Sequence, residues 1–536
     1  MLMDNLNGEY NPCTQLYSYV CSKWSDKHAD NVDNYDSVLS MINYESNLEI
    51  KEYLENTRME DMPRYEQIAK NLYESCMKDN FEFNYLKRIQ WLEQEENMKW
   101  ALLTPVDDKD VVFDWTTTMA IFRKYGFNDM FVEQWRFKTW YKYINSYKMK
   151  LFKKELPLPS GAMDFMELWP LIQGFEQKLR NIKGQEAQTY KFHELPYPWL
   201  RKYLTTLAKP KQLDANMKLT IDNVAGMDKL DELIKQYDEA FLCRYLEIRF
   251  LLYLDWFNLF RKAGDCMTPV TIYLTKATES IYMKLHPELL LELPRIQQMF
   301  EDIKKNLNKT LDMNKVYMVP RQFFTTLEQM KLQVGDTYST NSTERLEAHY
   351  KDLNLHADDY YINLFKILKF INKPKLEDDD SDKKIFYTAS TLFPPYWTVS
   401  PMYKDAQNVV TVPFGLLRTP FYNAAYADIF KLSSLGSMMT DCILESLIFM
   451  GFVSKHDPDM NGIHPSYEIF FSFLQPEDIE RYTNMFTMTS VEQLQQLFFI
   501  NEMHTYCERT NYRIDGVNAM RMADLDEAFQ CNFNRL

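Results

Sequence analysis

Asp441 and Glu445 lie four positions apart with Cys442 between them, and side chains of these types can bind a metal ion or act as a nucleophile. Two carboxylates one helical turn apart suit a hard cation, although an oxygen-rich site needs more ligands than two. Cys442 with His456 as its base is a candidate nucleophile, but such a thiol needs an activating environment that a sequence does not show. The interpretation that the pattern favours is a polar helix face with Cys442 packed inward.

Two kinds of element are predicted to position these residues. The segment 432–450 predicts a helix, because its apolar residues recur at helical spacing beside a narrow polar stripe, and Gly451 is a natural end. The segments 398–403 and 408–417 contain β-branched residues and prolines, which predict strands entering a bend.

The remainder of the chain predicts a mainly α-helical protein. Only 13 of 536 residues are glycine, which argues against a turn-rich β fold. Residues 48–350 are predicted to be mostly helical, and 230–260 shows apolar residues at helical spacing with no breaker.

Charge and hydropathy exclude some classes of function. The net charge of −15 makes nucleic acid an unsuitable partner, since phosphate binding needs a basic excess. No apolar run reaches the length that crosses a bilayer, so no membrane span is expected. Residues 1–12 lack the features of a signal peptide, so a signal has either been removed or does not belong to this gene product.

The eight cysteines contain no close CxxC pair of a zinc ribbon or redox motif. They cluster near the termini with a few far apart, which suits long-range disulfides in an oxidising compartment. Eight buried thiols in a cytosolic protein are the alternative, and composition alone leaves the two about even.

Both ends of the chain resemble the zinc endopeptidases of the neprilysin family. At the start, 11–24 reads NPCTQLYSYVCSKW and 71–76 reads NLYESC. At the end, QLFFI at 496–500, Tyr506-Cys507, NYRIDG at 511–516 and DEAFQC at 526–531 follow the closing pattern of the family in order. The resemblance implies a two-lobed, mainly α fold, with a proximal lobe from 1–47 plus 351–536 and an inserted helical distal lobe over 48–350.

By this resemblance, 432–450 is the catalytic helix, but it contains no HExxH. That motif places two imidazoles on one zinc and a glutamate on its water. Aligned on Leu435-Gly436, the ligand positions are Asp441 and Glu445 and the base position is Cys442. The third ligand position is Lys455 and the trailing acid is Asp459, while the segment that carries the family's oxyanion histidine is deleted. The resemblance therefore implies no catalytic residues, no bound zinc and a pseudoenzyme.

The resemblance also implies which residues hold a ligand and which form covalent links. Arg513 stands at the substrate-binding arginine, and Ser400 and Tyr403 belong to the substrate-edge strand. The implied disulfides are Cys13–Cys531, Cys21–Cys507 and Cys76–Cys266, with Cys243 and Cys442 free. Asn308 and Asn341 begin glycosylation triplets, which support secretion to the extracellular space.

The function expected from the sequence is binding of a peptide or partner protein in the cavity between the lobes, without cleavage. The alternative is an enzyme with residual or metal-shifted endopeptidase activity on small peptides. For the non-cleaving protein, we expect Lys455 to pair with Asp441 and Glu445 and to hold the two helices in place of the metal, with a small net stabilisation because of desolvation.

Overall fold

The computed structural model describes residues 5–31, 33–79, 84–128, 130–131, 146–184, 186–221, 223–258, 265–313, 321–335, 343–373, 375–376, 385–386, 401–404, 408–449, 465–488, 490–508 and 523–531. Its helices are α1 (Pro12–Lys27), α2 (Val38–Asn56), α3 (Arg64–Lys78), α4 (Tyr85–Glu96), α5 (Trp115–Lys124), α6 (Ser146–Glu155), α7 (Phe165–Arg180), α8 (Pro198–Ala208), α9 (Val224–Ile234), α10 (Glu239–Asn258), α11 (Met267–Tyr273), α12 (Thr275–Leu285), α13 (Leu289–Met313), α14 (Arg321–Gln329), α15 (Thr343–Tyr350), α16 (Tyr360–Ile371), α17 (Asp428–Lys431), α18 (Ser437–Phe449), α19 (Pro465–Phe473), α20 (Pro476–Met485), α21 (Val491–Thr505) and α22 (Ala523–Ala528). Its strands are β1 (Gln188–Lys191), β2 (Lys218–Ile221), β3 (Lys331–Val334), β4 (Lys375–Leu376), β5 (Ile385–Phe386), β6 (Met402–Lys404) and β7 (Val409–Val412). The protein is mainly α with small sheets, as the sequence predicts.

The chain divides into two compact units. The first unit contains Met1–Ala69, Leu274–His349 and Pro394–Leu536, and the second contains Lys70–Tyr273 and Tyr350–Phe393. These units differ from the expected lobes in three segments: 48–69 and 274–349, expected in the inserted lobe, lie with the chain ends, and 351–393, expected with the chain ends, lies in the second unit. Long-range contacts explain the difference: β3 pairs with β7, α12 packs on α2 and α13 packs on α19.

In the first unit, two disulfides join the ends of the chain. Cys13 pairs with Cys531 and Cys21 pairs with Cys507. The N-terminus of α1 is capped: Pro12 occupies its first turn, and the Asn11 side chain accepts a hydrogen bond from the Cys13 amide at 2.9 Å. Helix α1 packs against α21, so the two termini share one core.

The second unit has an aromatic core. The rings of Phe122 on α5 and Phe250 on α10 stack with centroids 4.1 Å apart. Nearby, the fully buried Glu247 carboxylate accepts hydrogen bonds of 2.8 Å from the amides of Ala101 and Leu102. The Cys76–Cys266 disulfide lies in this unit, so all three pairs are those that the resemblance implies. Cys243 and Cys442 are free and buried.

The continuous helix predicted over 230–260 is wrong at one point. Helix α9 ends at Ile234 and α10 begins at Glu239. The break is stabilised by Asp238, whose carboxylate accepts a 2.7 Å hydrogen bond from the Phe241 amide in the first turn of α10. Apolar spacing passes through this break unchanged, whereas an aspartate that caps a helix marks it.

The predicted strand region forms a three-stranded sheet with the order β3-β7-β6. Strand β6 pairs antiparallel with β7 through Tyr403 and Val410, and β3 pairs parallel with β7 through Leu332 and Val410. Among the described strands, β6 is therefore an edge of this sheet.

Helix α17 continues into α18 through a π turn at Leu432–Gly436. The turn contains the small residues Ser433, Ser434 and Gly436, and the Ser433 hydroxyl accepts a 2.8 Å hydrogen bond from the Asn501 amide of α21. Within the residues that the structure covers, no helix combines the length and apolarity that crossing a bilayer requires.

Candidate functional site

Helix α18 presents the residues that the sequence singled out to two different environments. Asp441 and Glu445 are exposed, whereas Cys442 is only 5% exposed. The helix packs against β6, β7 and α19, and Cys442 lies on the packed side. The amphipathic pattern predicted this arrangement, because residues four apart share a helix face and the residue after the first is turned by about 100°.

Among the described residues, the Cys442 thiol has no activating environment. Burial raises the pKa of this thiol well above its ordinary value, and the nearby carboxylates of Glu445 and Asp441 raise it further. The group is therefore a protonated thiol at neutral pH, which is neither a good nucleophile nor a metal ligand. His456, the base considered for it, lies outside the described residues.

Asp441 has a hydrogen-bond partner that sequence patterns did not reveal. The Tyr506 hydroxyl, which follows the end of α21, donates to the Asp441 carboxylate at 2.7 Å. Burial and the Asp441 charge raise the pKa of Tyr506 well above its ordinary value, so this phenol remains a donor. The contact joins α18 to α21 at a carboxylate oxygen that a metal would otherwise use.

A second polar contact joins the same helices one turn earlier. Glu502 of α21 shares a hydrogen bond with Ser437, whose hydroxyl lies 3.0 Å from that of Ser466 on α19. Burial raises the Glu502 pKa to about 8, so this carboxyl is mostly protonated at neutral pH. The interior beside α18 is thus held by neutral hydrogen bonds between α18, α19 and α21.

The imidazole closest in sequence to Tyr506 is also uncharged. Burial, with a smaller effect of His28, lowers the pKa of His504 to about 4. His504 is therefore neutral at physiological pH, and its electrostatic neighbour is His28, the residue that follows α1, and not a carboxylate of α18.

The residues that the structure describes do not fit a zinc ion. A zinc site needs at least three protein ligands drawn from imidazoles, thiolates and carboxylates. No group of three such side chains that could share a metal occurs in the described part of the chain. On α18, Asp441 and Glu445 are the two carboxylates exposed on one face. Lys455 and Asp459 lie outside the described residues. The absence of zinc therefore stays a prediction.

The predicted ligand-holding residues are only partly visible. Tyr403 lies on β6, but its side chain is 5% exposed and its hydroxyl donates to the Asn408 side chain at 3.1 Å. Its side chain therefore serves the interior, and a ligand at the sheet edge meets the backbone. Ser400 and Arg513 fall outside the described residues.

Sequence reasoning missed two partners of α18: Glu502 on α21, and Tyr506 directly after the end of α21. Their spacing of four residues places both on one helix face, and this signal was available. What the spacing does not reveal is that this face meets α18, some 60 residues away in sequence.

Comparison with known proteins supports the resemblance. A family model described as peptidase family M13 matches residues 12–164. A curated endothelin-converting enzyme homolog of Locusta migratoria is 30% identical over 96 residues, which make up 18% of this chain and 13% of that relative. The sequence match therefore spans only a small part of the relative's length.

Solved structures extend the likeness to the whole fold. The zinc metalloprotease Zmp1 of Mycobacterium tuberculosis, in complex with an inhibitor, has a TM-score of 0.58 at 12% identity and covers 98% of this chain and 96% of its own. PepO from Lactobacillus rhamnosis HN001 has a TM-score of 0.57 at 11% identity, covering 98% and 97%. A Haemonchus galactose containing glycoprotein complex gives 0.60 at 15%, covering 99% and 95%. At these identities the likeness is one of fold. The chain therefore matches peptidase family M13 in sequence over residues 12–164 and shares the fold of Zmp1 and PepO over almost its whole length.

Proposed function

We propose that the chain is a catalytically inactive neprilysin-like protein that binds peptides or a partner protein without cleaving them. The observation that carries this proposal is the pair of positions 441 and 442 on α18. Asp441 is engaged by the Tyr506 hydroxyl, and Cys442 is a buried thiol whose pKa is raised well above its ordinary value.

Peptide hydrolysis by a metallopeptidase needs a Lewis acid and a base that takes a proton from water. The base position is occupied by a group that is protonated and inaccessible to water. The two exposed carboxylates of α18 are hard oxygen donors without an imidazole beside them in the described residues. These features support loss of the reaction and leave the fold intact.

Binding is supported by the sheet beside α18. Strand β6 is an edge in the described part of the sheet, and an edge strand offers backbone groups to an extended peptide. Recognition of this kind depends on main-chain hydrogen bonds and does not need a metal.

We further propose an extracellular location. It is supported by the disulfides Cys13–Cys531, Cys21–Cys507 and Cys76–Cys266, which persist in oxidising compartments. Asn308 is exposed on α13 and is the acceptor proposed for a glycan, while Asn341 lies outside the described residues. Mass spectrometry of the secreted protein before and after deglycosylation, with Asn308→Gln as the control, tests this assignment.

The test of inactivity measures zinc content and peptide turnover on the same full-length preparation. We expect no stoichiometric zinc after dialysis, and no more cleavage of a quenched peptide library by the unmodified protein than by Glu445→Ala. One zinc bound with sub-micromolar affinity and abolished by Glu445→Ala, together with turnover, would establish the alternative of a metal-shifted endopeptidase.

Binding is tested separately with the same library in uncleavable form. We expect a subset of peptides to bind and to slow hydrogen exchange of the β6 amides. If no peptide binds while zinc and turnover are also absent, the inactivity remains and the peptide-binding part of the proposal falls.

A further inference from the structure

The first unit contains a cavity of about 380 Å³ that the family resemblance did not point to. It is lined by α13, α17, the start of the π turn, α19 and α20, and its lining includes none of Asp441, Cys442 and Glu445. The volume falls within the range of pockets that hold small organic ligands, about 300–1,000 Å³.

Lys431, at the end of α17, is a buried cation in the wall of this cavity. It is 2% exposed, and its ammonium donates to the Ala424 carbonyl at 2.9 Å and lies 5.6 Å from the centre of the Tyr422 ring. No carboxylate of the described residues lies within ion-pair distance of it. An ammonium has three donors, so most of its hydrogen-bonding capacity is not met by the protein.

The nearest acidic groups already have other partners. Asp428 pairs with Arg295 at 2.7 Å, and Glu292 accepts a 2.6 Å hydrogen bond from the Tyr422 hydroxyl. Asp478, also in the lining, pairs with Arg481 at 3.0 Å. The Lys431 charge therefore has no dedicated counterion.

Burial, and next the positive charge of Arg295, lowers the pKa of Lys431, and the charges of Asp428 and Glu292 offset only part of this effect. Both causes penalise the charged form, and both are relieved by an anion in the cavity. The remaining acid in the lining, Asp302, is exposed and accepts a 3.0 Å hydrogen bond from Gln298, so it does not serve as that anion.

Part of the cavity lining is apolar. Leu432, Ile469 and Phe470 line it and are at most 9% exposed, and Leu474 adds a further apolar side chain. A cavity whose lining combines apolar side chains with a cation that has no counterion can hold a ligand with an anionic head and an apolar body.

We propose that this cavity binds an amphipathic monocarboxylate, with the carboxylate on Lys431 and the apolar body against Leu432, Ile469 and Phe470. The ligand chemistry is shared by short fatty acids and by the free C-terminus of an apolar peptide. The site uses no residue of the inactive centre, so it stands or falls independently of the proposed function.

The test is calorimetric titration of the full-length protein with octanoate, 1-octanol and N-acetyl-leucyl-leucine. We expect octanoate to bind at one site at least tenfold more tightly than 1-octanol, and high salt to reduce this preference. Tighter binding of the dipeptide than of octanoate assigns the site to a peptide C-terminus, and the reverse assigns it to a fatty acid.

Two variants and one control locate the site. Lys431→Met should weaken octanoate binding at least tenfold and leave 1-octanol unchanged, whereas Lys305→Met, at an exposed position of α13 outside the lining, should change neither. Leu474→Trp, which fills the apolar side, should weaken both ligands. If Lys431→Met fails to fold, the Leu474→Trp variant and the salt dependence still test whether octanoate binds in this cavity. Equal affinity for octanoate and 1-octanol, unchanged binding in both variants, or no binding of any probe overturns the proposal.

Discussion

At the scale of single residues, Glu502 is the clearest source of pH-dependent stability beside α18. Its pKa is raised to about 8 by burial, whereas an unfolded chain gives a glutamate a pKa of about 4.3. Between these values the folded protein holds one more proton than the unfolded chain. The contribution of this residue to the free energy of unfolding therefore decreases as the pH rises through that window.

We predict that Glu502→Gln reduces the loss of stability between pH 5 and pH 8, because glutamine keeps a hydrogen bond to Ser437 without a titrating proton. The measurement is the midpoint of thermal unfolding across this range. Glu480→Gln, an exposed residue of α20, is the matched control and should follow the unmodified protein. The same slope in Glu502→Gln and the unmodified protein would contradict the assigned pKa.

A second carboxyl gives an internal comparison. Glu247 lies in the second unit, and burial raises its pKa to about 8 as well. Deprotonation of Glu247 therefore accounts for pH dependence that remains in the Glu502→Gln variant. The contributions of Glu247 and Glu502 to the pH dependence of stability are expected to add, because the two residues share no contacts.

At the scale of elements, the packing of α18 bears on the three substitutions Asp441→His, Cys442→Glu and Glu445→His, which would rebuild the HExxH letters. Positions 441 and 445 face solvent, so two imidazoles there can approach one metal ion. Position 442 is packed inside, and a carboxylate placed there must lose its hydration or remain protonated. The residue introduced as the base is therefore poorly able to accept a proton.

We predict that the triple variant gains measurable zinc affinity but no substantial peptidase activity. Calorimetry and the quenched peptide assay measure the two properties, and the double variant Asp441→His with Glu445→His is the control for metal binding alone. Absence of an oxyanion donor by itself reduces turnover by about 100- to 1,000-fold in other hydrolases. Turnover within about tenfold of that of an active family member assayed in parallel would show that the deletions relative to the family were assigned to the wrong positions in the sequence.

Several helices and strands could be predicted from the sequence, and the features that could not be predicted have physical reasons. The helix over 432–450 and the strands near 403 and 410 were evident from side-chain periodicity, which depends only on local geometry. The π turn at Leu432–Gly436 was not, since an extra residue in one turn leaves the apolar pattern almost unchanged. The parallel pairing of β3 with β7 was also missed, because hydrogen bonds between segments about 80 residues apart leave no local pattern.

The candidate site shows the same limit. Cys442 was expected to pack inward and does so, because amphipathicity is written in one helix. The contacts from Tyr506 to Asp441 and from Glu502 to Ser437 depend on how α21 meets α18, which only the packed structure shows.

At the scale of the whole molecule, the two terminal disulfides form a nested pair. Cys13–Cys531 spans 518 residues and Cys21–Cys507 spans 486, so once the inner link exists the outer link closes a ring of only 32 additional residues. In the chain-entropy model, the first link in place restricts the unfolded chain far more than the second.

We predict that removing both terminal disulfides destabilises the protein by about 2 kcal/mol more than the sum of the two single removals. The measurement is denaturant unfolding of the cysteine-to-serine pairs at positions 13/531, 21/507 and both. Removal of Cys76–Cys266, which closes a separate ring of 190 residues, is the control and should add to either single removal. If the losses in unfolding free energy from the two single removals simply add up to that of the double removal, the nested arrangement does not affect the entropy of the unfolded chain.

The inner terminal link has a consequence for the fate of the molecule after damage. Since Cys21 is joined to Cys507, any single backbone cut between these residues leaves both fragments attached, and the protein keeps its mass and its joined ends. A single cut by a protease in an exposed loop is therefore visible on a gel only after the disulfides are reduced. In the extracellular setting proposed above, this link would keep a singly cleaved molecule from losing a fragment.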